Sequence, residues 1–133
     1  MICILAHMRI HAHEAISGQQ GLIRLRRIGK ALADTSRLRI LAALAEQELC
    51  VCHLIPMLGL NASTVSRHVG VLRDAGLVAV RKDGRWLHCS RAEPDAAIWT
   101  GIDEHLRGAP EVAVDRRCLS AGDATSGSGS ECC

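Results

Sequence analysis

The chain has 133 residues, 48% hydrophobic but only 2% aromatic, with two Trp and neither Phe nor Tyr. That is room for one domain with a core of Leu, Ile, Val and Ala, which suits packed helices; it excludes collagen-like, coiled-coil and wholly disordered chains. The net charge is +2, yet it is divided: residues 21–91 carry 12 basic and 5 acidic side chains, and residues 92–133 carry 3 and 8.

No apolar run exceeds six residues, so no membrane-spanning helix is expected. The first residues lack the basic start and long apolar stretch of a secretory signal. A cytoplasmic protein is expected. Its seven Cys then suit metal or redox chemistry better than a disulfide framework.

Residues 1–20 read as an N-terminal arm or a short helix, with Met8 as an alternative start. From Leu22 the pattern is helical: Leu22, Leu25, Ile28 and Leu32 recur at three- and four-residue steps. Asp34, Thr35 and Ser36 interrupt it and offer caps for a second helix over about residues 36–46. A third, short helix is expected over residues 49–58, with Pro56 inside it and Gly59 at its end. Asn61 or Ser63 caps a fourth, running to Ala75 with Gly76 as its stop. Strands follow over residues 77–81 and 85–90, joined by Asp83-Gly84, a strong hairpin signal. Pro94 opens a helix over about residues 95–106. The organisation expected is an arm (1–20), one folded domain (21–107) and a flexible tail (108–133) ending in Cys132-Cys133. The fold class is mainly α with a small β-hairpin.

Two helices joined by Gly59-Leu60-Asn61 and followed by a hairpin have the layout of a winged helix-turn-helix. The helix after the turn carries Ser63, Thr64, Ser66, Arg67, His68 and Arg73. Its small hydroxyl residues let the backbone approach DNA, and Arg67 has the fork that fits guanine or phosphate. His68 can reach phosphate. Arg81, Lys82 and Arg85 make the hairpin tip a basic projection fit for the DNA backbone. Double-stranded DNA is the expected partner.

The runs Lys30–Leu41 (KALADTSRLRIL), Glu48–Leu54 (ELCVCHL), Ser63–Val69 (STVSRHV), Leu72–Val78 (LRDAGLV) and Arg81–Trp86 (RKDGRW) resemble the ArsR/SmtB family of metalloregulatory repressors. Within that family the pattern is most similar to the arsenic-responsive members. The resemblance implies a homodimer built on the first and last helices, reading an inverted-repeat operator, with As(III) or Sb(III) as inducer. It places Cys50 and Cys52 as metalloid ligands. Where arsenic-responsive members often carry another Cys three residues on, this chain has Ile55. Candidates for a third ligand are Cys3, Cys118, Cys132 and Cys133.

The Cys-X-Cys pair has its own physical logic. Thiols at a helix start gain from the helix dipole, and thiolates suit soft ions. On an ideal helix, residues two apart point roughly 200° apart. One ion holding both sulfurs would therefore strain that turn. His53, with Cys3, His7, His11 and His13, keeps Cd(II), Pb(II) or Zn(II) open as the inducer. A thiol redox sensor is a further alternative. Cys89, on the second strand, reads as packing. An enzyme is not expected, because neither a Cys-X-X-Cys nor a Gly-rich phosphate loop is present.

Overall fold

The computed structural model describes residues 18–93 and 96–125. Helix α1 covers residues 18–32. It is followed by α2 (Thr35–Ala43), β1 (Leu49–Cys50), α3 (Val51–Leu58), α4 (Ala62–Asp74), β2 (Val78–Asp83), β3 (Trp86–Arg91), α5 (Ala96–Leu106) and α6 (Pro110–Thr125). The strands form one antiparallel sheet in the order β1-β3-β2. One core joins helices and sheet. Its most enclosed side chains are Ile40, Leu41, Leu54, Leu72, Leu77, Val65 and Cys89. The fold is mainly helical with a small sheet, as composition and patterning imply.

The α3–turn–α4 unit is fixed by local chemistry. Asn61 caps α4, its Oδ1 accepting the Thr64 N–H at 2.8 Å, which satisfies one of the donors a helix start leaves free. At the other end the Gly76 N–H donates to the Arg73 carbonyl and the Leu77 N–H to the Leu72 carbonyl. This is a Schellman closure, and it needs the left-handed conformation Gly76 adopts (φ +76°). Leu72 and Leu77, both fully buried, pack across it. The closure therefore sets the angle between α4 and the wing.

The hairpin turns one residue later than Asp83-Gly84 suggests. Asp83 pairs with Trp86, so Gly84 and Arg85 form the loop. Gly84 has φ +59°, and no non-glycine residue among those described has positive φ. That combination fits a type II′ turn, which takes Gly at its first central position.

Three further departures are structural. Residue 49 does not open a helix: Leu49 and Cys50 are extended and pair with Cys89 and His88, and α3 starts at Val51. In α1, Ile28 is buried, while Leu22 and Leu25 are 70% and 63% exposed, so the apolar stripe is only half used within one chain. Finally, the flexible tail expected from residue 108 is helical over Pro110–Thr125. This α6 packs on α2 and α3, burying Val112 and Asp115. The arm, Pro94, Asp95 and residues 126–133, with Cys3, His7, His11, His13, Cys132 and Cys133, lie outside the described residues.

Candidate nucleic-acid interface and thiol site

Helix α4 divides cleanly. Val65, Val69 and Leu72 are buried, and Ser63, Ser66, Arg67 and Arg73 are exposed, with Thr64 half-buried. No acidic residue occupies its first turn, so the helix start keeps its positive end for an anion. Ser63 Oγ donates to Asn61 Oδ1 at 2.8 Å, which holds that hydroxyl beside the cap. Arg73 lies 3.5 Å from Asp74, both well exposed.

The wing presents Arg81, Lys82 and Arg85, all exposed. The Arg85 guanidinium sits 4.9 Å from the centre of the Trp86 ring, a cation–π contact that steadies the tip. Arg81 is engaged on its own side of the sheet. Its Nη2 donates to Glu48 at 2.6 Å, and Asp83 is 3.8 Å from Nη1. The Arg81 hydrogen bond holds the Glu48 carboxyl below its ordinary range.

His68 belongs with the scaffold rather than with the exposed face. Its side chain is only 14% exposed. Arg37 Nη1 lies 3.3 Å from its Nδ1, and Asp34 is 3.9 Å from the same atom. Arg37 also donates to the carbonyls of Ala31 (2.6 Å) and Lys30 (3.1 Å). One guanidinium thus joins the end of α1, the start of α2 and the middle of α4. Burial works to raise the Asp34 pKa, but the Arg37 backbone N–H, the Arg37 charge and His68 outweigh it and leave the carboxyl below its ordinary value. Sequence reasoning missed this cluster. Its one local signal is Arg37 three residues after the capping Asp34, whose carboxylate accepts the Arg37 N–H at 3.1 Å.

Cys50 and Cys52 are both buried, 6% and 7% exposed. Cys50 is the N-cap of α3, in extended conformation, and its Sγ accepts the Cys52 N–H at 3.4 Å. The two thiols therefore straddle a strand–helix junction instead of sitting two apart on a helix. The opposed directions expected from helical geometry do not apply to them. His53 follows with its Nδ1 buried and without a hydrogen-bond partner among the described residues.

Cys89 is fully buried beside this junction. On the central strand it pairs with Leu49 of β1 and Val80 of β2. Burial, reinforced by Cys50 and Glu48, pushes its thiol up to about 11. Cys118 is exposed on α6. Among the described residues no three His, Cys, Asp or Glu side chains are grouped to hold a metal ion. The structure thus brings Cys50 and Cys52 together and does not gather Cys118 with them into such a group.

These environments predict an order of reactivity. Since the thiolate is the nucleophile, among the four described cysteines iodoacetamide should label Cys118 first and Cys89 last in the native, reduced protein, as read by mass spectrometry over time. Labelling of Cys89 as fast as Cys118 would contradict the burial described.

Comparison with known proteins places this architecture. The family model described as bacterial regulatory protein, arsR family, matches residues 34–80. The arsenical resistance operon repressor of Escherichia coli is 43% identical over 81 residues, covering 59% of this chain and 68% of that protein. A transcriptional repressor SmtB homolog of Synechocystis is 41% identical over 78 residues, covering 58% of this chain and 59% of that protein. A homodimeric winged helix-turn-helix DNA-binding domain from Mycobacterium bovis has a TM-score of 0.58 at 34% identity, covering 68% of this chain and 88% of that one. No helix among the described residues is long and apolar enough to cross a membrane. The matched segment carries the Cys-X-Cys junction, α4 and the start of β2, and the relatives are regulators rather than enzymes. The chain belongs to the ArsR family of bacterial regulatory proteins and has its winged helix-turn-helix fold.

Proposed function

We propose that this regulator is a homodimeric repressor that reads an inverted-repeat operator through α4 and the wing, and leaves it when As(III) or Sb(III) occupies the Cys50 and Cys52 thiols. The observation that carries the reading is the position of these thiols. They sit where β1 passes into α3, and α3 packs directly against α4. Two sulfur donors at one junction suit soft ions. Engaging both sulfurs takes Cys50 Sγ from the Cys52 N–H it now accepts and loosens the start of α3. A displacement there is passed to α4 through packed side chains such as Leu54 and Val65, both fully buried. The candidates for a third donor are Cys3, Cys118, Cys132 and Cys133, of which Cys118 is not grouped with the pair in the single chain; two thiolates can also suffice with water or hydroxide as the third group.

Dimerisation is supported by α1, whose Leu22, Ile23 and Leu25 stay 70%, 45% and 63% exposed in the single chain, a face that a second copy would cover. The DNA contacts are assigned to Ser63, Thr64, Ser66, Arg67, Arg73, Arg81, Lys82 and Arg85. His68 holds α4 in place.

The second reading, a Cd(II), Pb(II) or Zn(II) inducer, is favoured by one observation: the unpartnered Nδ1 of His53 beside Cys52, since imidazole suits these ions. Fluorescence anisotropy on a duplex selected by the reduced protein separates the two. Arsenite and antimonite are expected to release the DNA at low micromolar levels, with zinc, cadmium and lead weaker. Release by the divalent ions alone would replace the first reading with the second.

A further inference from the structure

One ion pair joins the thiol junction to the wing, and neither the thiols nor the DNA contacts account for it. Cys50 pairs with His88, and His88 pairs with Arg81. The three residues therefore form a single row across the sheet. Glu48, just ahead of β1, reaches over this row. Its carboxylate accepts from Arg81 Nη2 at 2.6 Å and lies 3.7 Å from His88 Nδ1. The Glu48 and Arg81 side chains are 40% and 57% exposed. Lys82 and Arg85 carry no ion pair with a carboxylate among the described residues.

We infer that Glu48 is an intramolecular competitor for Arg81, limiting what the wing contributes to DNA affinity. The inference rests on the proposed DNA reading. The carboxylate occupies the guanidinium edge that a phosphate would take, and it places a negative charge beside the polyanion. An exposed pair of this kind is weak and screened by salt, so DNA can displace it, but at a cost that lowers affinity. Three residues then set the wing: Lys82 and Arg85 contribute their full charge, and Arg81 contributes a share that Glu48 controls. Because Glu48 is two residues from Cys50, this control sits on the segment where the proposed inducer binds.

The test uses the full chain, reduced and metal-free, with a duplex that the wild-type protein selects from a randomised pool. Glu48→Gln is expected to tighten binding about two- to fivefold near 0.1 M salt, the range an exposed ion pair allows. It should also steepen the dependence of log K on log salt, because Arg81 now releases a counterion fully. Glu48→Ala must act in the same direction, and thermal unfolding of both variants should match wild type. In an Arg81→Gln background the Glu48→Gln effect should largely vanish. Unchanged or weaker binding by Glu48→Gln at unchanged stability would overturn the competitor role. An equal gain without Arg81 would reduce it to general repulsion and overturn it as well. If the wild-type protein enriches no duplex at all, the DNA reading beneath the inference fails first.

Discussion

Replacing Arg39 with Met is expected to destabilise the fold by about 3 kcal/mol, the lower end of what breaking a buried ion pair costs. Arg39 donates Nε to Asp115 Oδ2 at 2.8 Å and Nη2 to Asp115 Oδ1 at 2.6 Å, and Nη2 also reaches the Met57 carbonyl at 3.0 Å. Asp115 is only 3% exposed. Without its partner a carboxylate is left buried and unpaired, the costly half of such a change. The lower end applies because the Arg39 side chain itself keeps 23% exposure. The effect should fall on α6, whose attachment to α2 and α3 runs through this pair. Urea unfolding followed by circular dichroism checks both stability and helix content. Adding Asp115→Leu to the variant should restore most of the loss, since an apolar pair of similar volume removes the stranded charge. A single variant within about 0.5 kcal/mol of wild type, the range of a neutral surface change, would mean that the pair does not hold α6.

Arg67→Ala is expected to weaken operator binding by about 1–3 kcal/mol per half-site, the range for losing a forked base or phosphate contact. Stability should stay within about 0.5 kcal/mol of wild type, because Arg67 is exposed and the inward face of α4 is untouched. His68→Ala should behave in the opposite way. It breaks the contacts to Arg37 and Asp34, so its effect on DNA should track a loss of stability. Anisotropy titrations and thermal melts on the same preparations separate the two. Equal losses of affinity at unchanged stability would return His68 to the DNA face.

The contrast between these two neighbours shows what a sequence can carry. Caps and turns are local, so Gly76 could be read directly, the α4 cap narrowed to Asn61 or Ser63 and the hairpin placed to within one residue, and with them the helix-turn-helix and its wing. Arg67 was legible because its exposure follows from the spacing of Val65, Val69 and Leu72. The partners of His68 and Arg81 lie 31 and 33 residues away, and no local pattern encodes such contacts. The same holds for β1. Two residues are too few to show alternation, and they are extended because β3 offers an edge. Helix α6 escaped notice for another reason. Its inward positions are Val112, Asp115 and Leu119, and an Asp at the centre of the stripe reads as solvent-facing until Arg39 is found beneath it. The thiol pair was legible as chemistry but not as geometry: the Cys-X-Cys spacing suggests one helix, whereas Cys50 caps the helix that holds Cys52.

In the proposed function the Cys50–Cys52 junction senses the inducer and α4 reports it. The most direct measurement is arsenite-driven release of operator DNA from the Cys50→Ser/Cys52→Ser protein, followed by anisotropy beside wild type. The serines keep an oxygen at the α3 cap, and DNA affinity before arsenite should stay close to that of wild type, since neither residue is among the assigned DNA contacts. Arsenite is then expected to release wild type and leave the double variant bound. A double variant that binds the operator and is still released at the same arsenite concentration would place the sensor elsewhere.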